Sequence, residues 1–175
     1  MSDAVIRPLG RPGDLGWVVM AHGEHYTAEY GWSPAFEAHV ARFVADFAAG
    51  HDTTREAAWI AEVGGRRVGS VACTAGEPDT AHLRVLLLDP AARGHGLGRR
   101  LVETCVGFAV DAGYRRMQLW TTDVLETAQR IYRAAGFRLV AEEPFTEFGP
   151  ELLGRTYALE LPAGTSRRAM NTSST

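Results

Sequence analysis

At 175 residues and 46% hydrophobic, the chain is long enough for one domain with a real core and short for two domains plus a linker. A formal charge of -3, with arginines set singly or in pairs along most of the chain, offers no basic surface for nucleic acid. No apolar run approaches the ~20 residues of a bilayer span, and the opening residues lack the layout of a secretory signal, so a cytoplasmic protein without membrane partners is expected.

Residues 4–8 read as a strand, followed by a turn whose Asp14 is placed to cap a helix over 15–30. Gly31 breaks that helix. Ser33 and Pro34 open a second one to about residue 49, with Phe36, Val40, Phe43, Val44 and Phe47 on one face. Strands over 57–63 and 67–74 are joined by Gly64-Gly65, a hairpin signal. The strand over 81–88 carries Leu83, Val85 and Leu87 on one face and His82, Arg84, Leu86 and Leu88 on the other, and its second half suits a doubly covered central position.

A third helix runs over 97–112 and is closed by Gly113. A strand over 116–121, a short helix over 124–135, a strand over 137–142, a long connection over 144–154 and a last strand over 155–161 complete the order. Asp123 is a candidate cap for the short helix. This pattern predicts a mixed α/β sheet with helices on both faces, one domain over residues 1–162, and a disordered tail over 163–175. Cys73 and Cys105 fall on apolar stripes and read as core residues, and no metal site is expected.

Between the 81–88 strand and the third helix lies Arg93-Gly94-His95-Gly96-Leu97-Gly98. Glycines at a helix start let an anion approach the backbone, where unpaired N–H groups and the positive dipole end point outward. Arg93, Arg99 and Arg100 add cations nearby. A phosphate cradle is therefore expected, though not one for nucleoside triphosphates, because no Gly-Lys-Ser/Thr ending follows.

Four pieces in order, Leu86-Leu87-Leu88-Asp89-Pro90, Arg93-x-x-Gly96-x-Gly98, a strand ending at Thr121, and Ile131-Tyr132 through Gly136-Phe137, resemble the GNAT superfamily of acyl-CoA-dependent N-acetyltransferases. The stretch from His22 to Trp32 and the segment Glu143-Pro144-Phe145 are similar to the acetyltransferase domain of bacterial MarR-GNAT fusion proteins. The resemblance implies a largely antiparallel sheet whose two central strands splay apart, with acetyl-CoA as cosubstrate. It places the main chain of Leu86 and Leu88 on the pantetheine arm, and Arg93, Gly94, His95, Gly96, Leu97, Gly98 and Arg99 around the pyrophosphate. It also places Tyr132 at the thioester sulfur as the acid for the leaving thiolate, against the plainer reading of a core tyrosine.

The base stays open. Where many relatives carry a glutamate, this chain has His82 and Arg84, and His22, His25, Glu29, Glu143 and Glu147 are alternatives. Glu29, Trp32, Glu143 and Phe145, with Glu24, Glu142, Glu147, Glu151 and Phe148, come from segments that by resemblance wall the acceptor, and an acidic, aromatic wall favours a cation. The implied reaction is acetyl transfer to a primary amine, of a small molecule or a peptide lysine, by direct attack in a ternary complex. A catalytically weak acyl-CoA sensor is the competing reading, and homodimerisation stays open.

Overall fold

Strand residues that alternate between two faces need helices on both sides, and the chain supplies them. The computed structural model describes residues 3–164. Its elements are β1 (Ala4–Pro8), α1 (Asp14–Tyr30), α2 (Pro34–Gly50), β2 (Ala57–Val63), β3 (Arg66–Ala75), β4 (Thr80–Leu88), a 3-10 turn (Pro90–Ala92), α3 (Leu97–Asp111), β5 (Arg116–Thr122), α4 (Glu126–Ala134), β6 (Arg138–Phe145) and β7 (Leu152–Glu160). The sheet order is β1-β2-β3-β4-β5-β7-β6, antiparallel throughout except for the parallel pair β4 and β5.

On one face, Ala61, Val71, Cys73, Leu83, Met117 and Tyr157 share a core with Leu97, Leu101 and Cys105 of α3 and Tyr132 of α4. On the other, Ile60 packs with Val18 of α1 and Phe36, Val40 and Val44 of α2, joined by Trp32 and Phe148. Both cysteines are free and buried, and the Cys105 thiol points to the Ala72 carbonyl at 3.5 Å.

Two expected caps do other work. Asp14 opens α1 but does not cap it; Gly13 stands at the cap position with φ 88°. The fully buried Asp14 carboxylate instead accepts hydrogen bonds from Arg7, Arg67 and the backbone N–H groups of Gly10 and Arg11, at 2.8 to 3.0 Å. The Arg7 hydrogen bonds hold its pKa well below the ordinary carboxylate range, against the opposing pull of burial. Asp123 likewise caps nothing: its Oδ1 accepts from the Leu153 N–H at 2.9 Å, tying the β5–α4 turn to β7, and α4 starts at Glu126.

The long connection expected over 144–154 shrinks to residues 146–151. Pro144 lies inside β6, opposite Leu153. An edge strand has one ladder to satisfy and accommodates proline, and β6 is the edge of the sheet. Of the expected tail, residues 165–175 lie outside the described residues.

Candidate functional site

The site begins with a defect in β4. Against β3, Ala72 pairs with Arg84 but Ser70 pairs with Leu87, so β4 carries one residue more than its partner. Val85 takes the extra turn at φ 47°, a left-handed conformation that a β-branched residue adopts only under constraint. Ser70 holds it there, its hydroxyl donating to the Val85 carbonyl at 2.7 Å. On the other side, β4 and β5 pair only from Thr80–Arg116 to His82–Gln118 and then part. The bulge bends β4 away and leaves a wedge-shaped cleft between Leu86–Leu88 and the end of β5.

The cleft has a narrow and a wide part, both bordered by Tyr26, Leu86, Leu125 and Ala128. The narrow part, about 70 Å³, runs past Leu87, Leu88 and Ile131 to Arg93 and Gly98. Gly94 and Gly96 have φ of 89° and 72°, and a Cβ on either would meet nothing within 4 Å, so the turn faces open space. Gly96 is the cap of α3 and no side chain satisfies the first-turn N–H groups there. That is the anion-binding arrangement of a helix start. Gly98 has a packing reason instead: its Cβ would fall 2.8 Å from Ile131 Cδ1 of α4.

The neighbours of this turn divide. Arg93 lies at the mouth, donating to Glu29 of α1 at 2.8 Å. Leu97 is buried in the core and offers only its main chain. His95 is exposed, and Arg99 is exposed and paired with Glu103, outside the cleft lining.

The wide part, about 460 Å³, is walled by Trp32, Phe36, Phe43, Trp120, Phe145 and Phe148 and reaches Tyr132 at its base. Tyr132 is 5% exposed and its hydroxyl has no hydrogen-bond partner among the described residues; burial first, then Tyr26 and Cys105, push its pKa far up. His22 also lines this space. Its Nδ1–H is donated to the Val18 carbonyl at 2.7 Å, which leaves Nε2 as a lone-pair acceptor, buried and without partner. Burial brings its pKa down to about 4. Trp32 Nε1 and Thr121 Oγ1, on the same lining, are buried and unpartnered as well.

The acidic wall expected from the sequence does not line the wide part. Glu29 sits at the narrow end with Arg93, Glu143 is exposed on β6 opposite Gly154, and Glu142 pairs with Arg155. Among the described residues Glu147 is the one carboxylate on that lining, and Arg84 the one arginine, joined by His39 and His82. Sequence reasoning also passed over Gln129. Buried to 2%, it donates to the Thr122 and Asp123 carbonyls and accepts from Arg155 and the Tyr157 hydroxyl, fixing where α4 leaves β5 and so where Tyr132 stands. A lone amide on the apolar stripe of a short helix was its only signal.

The acetyltransferase (GNAT) family model matches residues 21–137. N-acetylaspartate synthetase from Danio rerio is 36% identical over 85 residues, 48% of this chain and 30% of the relative. N-acetyltransferase 8F1 from Rattus norvegicus is 30% identical over 109 residues, 59% of this chain and 49% of the relative. The chain thus spans half or less of the length of these curated relatives. Among solved structures, yncA from Salmonella typhimurium, determined with its cofactor acetyl-CoA, superposes with a TM-score of 0.73 at 18% identity, covering 96% of this chain and 99% of that one. An N-acetyltransferase from Staphylococcus aureus Mu50 gives 0.73 at 19%, covering 92% and 100%. At these identities the likeness is one of fold.

Proposed function

The chain belongs to the acetyltransferase (GNAT) family, and from that premise we propose that it transfers acetyl from acetyl-CoA to the primary amine of an acceptor by direct attack in a ternary complex. One observation carries the reading: a single cleft joins an anion-ready helix start at one end to buried Tyr132 and the unpartnered Nε2 of His22 at the other. Among the described residues no cluster of histidine, cysteine and carboxylate could hold a metal ion, and no helix is long and apolar enough to cross a membrane.

The residues fit the cosubstrate. Unpaired N–H groups of Gly96 to Gly98 and the Arg93 guanidinium would hold the pyrophosphate, and the freed main chain of Leu86 and Leu88 would pair with the pantetheine amides as an added strand does. Acetyl-CoA supplies the thioester carbon at which the C–N bond forms and the C–S bond breaks. Tyr132, protonated at neutral pH, delivers its proton to the leaving sulfur. His22 Nε2, unprotonated at neutral pH, receives the proton that nitrogen sheds as it becomes an amide.

Within this reading the segments His22 to Trp32 and Glu143 to Phe145, which carry the likeness to MarR-GNAT acetyltransferase domains, belong to the acceptor side through His22, Trp32 and Phe145. The test is free-thiol release from acetyl-CoA against a panel of amines, alongside calorimetry on Gly96→Asp. Release with at least one amine, and lost coenzyme affinity in the folded variant, is expected. Coenzyme binding with no release from any amine would favour the sensor.

A further inference from the structure

Arg84 lies just before the bulge in β4, on a strand segment otherwise apolar, and points to the wide part of the cleft. Its guanidinium carbon is 4.4 Å from the centroid of the Phe43 ring, so one face of the planar group is covered. Burial is the one influence on its pKa and lowers it; no carboxylate or carbonyl among the described residues pairs with it. Glu147 shares the lining but is not among its ion-pair partners. A guanidinium has five N–H donors in a flat fork, and taking it partly out of water without a counter-ion is unfavourable. Two coplanar oxygens of a carboxylate are the matching partner.

The surroundings agree. His39 and His82, on the same lining, are held toward the neutral form by burial and then by the charge of Arg84, with Arg42 adding to it at His39 and Glu147 and Glu77 opposing it, so Arg84 is the lining's permanent cation among the described residues. That suits a monoanion. Trp32 Nε1 is a further unpartnered donor on the wall. The volume, about 460 Å³, suits a small molecule, and Trp120, Phe145 and Phe148 offer it aromatic surface.

Resting on the acetyltransferase reading above, we propose that the acceptor is a small amine that also bears a carboxylate, an amino acid or close analogue, and that Arg84 binds the carboxylate in bidentate fashion. The amine then lies toward His22 and Tyr132. This replaces the cationic acceptor that the acidic segments suggested, since of those carboxylates Glu147 alone lines the space among the described residues.

The test uses matched pairs of free amino acids and their primary amides, such as phenylalanine with phenylalaninamide and methionine with methioninamide, assayed by thiol release and by calorimetry on the wild type, Arg84→Lys and Arg84→Gln. The acids are expected to exceed the amides in kcat/KM. In Arg84→Gln their KM should rise about 10- to 100-fold, as expected for loss of a charged hydrogen-bonded pair, while the amides change little. Arg84→Lys should fall between. Circular dichroism and acetyl-CoA affinity establish that each variant is folded. Amides used as well as acids, a preference that survives Arg84→Gln, or acetyl-CoA binding with no amino acid bound or acetylated would overturn the substrate class. Failure of the wild type to bind acetyl-CoA would instead overturn the reading beneath it.

Discussion

Arg93, at the start of the glycine turn that leads into α3, and Glu29, near the end of α1, face each other across the mouth of the narrow cleft, with Nη2 2.8 Å from Oε1. The pair is partly exposed and contributes little to stability. Its importance, on the coenzyme placement proposed above, lies in what it occupies: the cation that would meet a pyrophosphate is engaged by a carboxylate.

Removing that competitor should tighten binding. In Glu29→Gln, acetyl-CoA affinity is expected to rise a few-fold at low salt, and in Arg93→Ala to fall about tenfold, each difference narrowing as salt screens it. Calorimetry at two ionic strengths measures both. Weaker binding in Glu29→Gln would mean that Glu29 orders Arg93 for the phosphate and does not compete with it.

Tyr132→Phe should keep coenzyme affinity and lower turnover about 10²-fold, the usual worth of one positioned acid. The buried aromatic contacts with Phe137 and Tyr157 survive the change. Stopped assays with an accepted amine, paired with acetyl-CoA titrations, separate the two effects. Equal turnover would leave Tyr132 a packing residue.

His22 makes stability depend on pH. Its folded pKa, about 4, lies below the unfolded 6.5, so its neutral burial is fully tolerated above 6.5. As pH falls from 6.5 toward 4 the unfolded state takes up the proton first, and the folded state loses up to about 3 kcal/mol. Urea unfolding at pH 7.5 and 4.5 should show that loss reduced in His22→Phe relative to the wild type. Identical losses in the two proteins would contradict it.

Asp14→Ala should destabilise the fold by about 3–5 kcal/mol, because it leaves buried Arg7 with Glu62 as its one remaining carboxylate and takes the acceptor from the N–H groups of Gly10 and Arg11. Replacing Arg67, whose side chain is 30% exposed, should cost much less. Thermal or urea unfolding reads both, and equal costs would argue against Arg7 as the dominant partner.

What the sequence made legible follows from the range of the interactions involved. The hairpin at Gly64-Gly65, the helix after Ser33-Pro34 and the glycine turn before α3 are each written in a few adjacent residues, and all stand where expected. Asp14 and Asp123 were read as caps because both precede helices, yet each binds partners from distant strands, Arg67 and Leu153, that no local pattern announces. The same limit misplaced the acidic wall. Glu29 and Glu143 belong to the right segments, but which side of a helix or strand faces a cavity is fixed by packing. Arg84 carried the opposite signal in plain view, a charge within an apolar strand.

The extra residue at Val85 gives the cleft a different significance. Two parallel strands side by side would ordinarily continue to pair, and the opening exists because one residue too many keeps them from doing so. Binding capacity here is thus an unfinished sheet. A chain shortened by one residue at this point would be free to zip β4 onto β5, with a more regular sheet and no berth for an incoming amide chain. On the acetyltransferase reading, that closure would add ladder hydrogen bonds and remove the place proposed for the coenzyme.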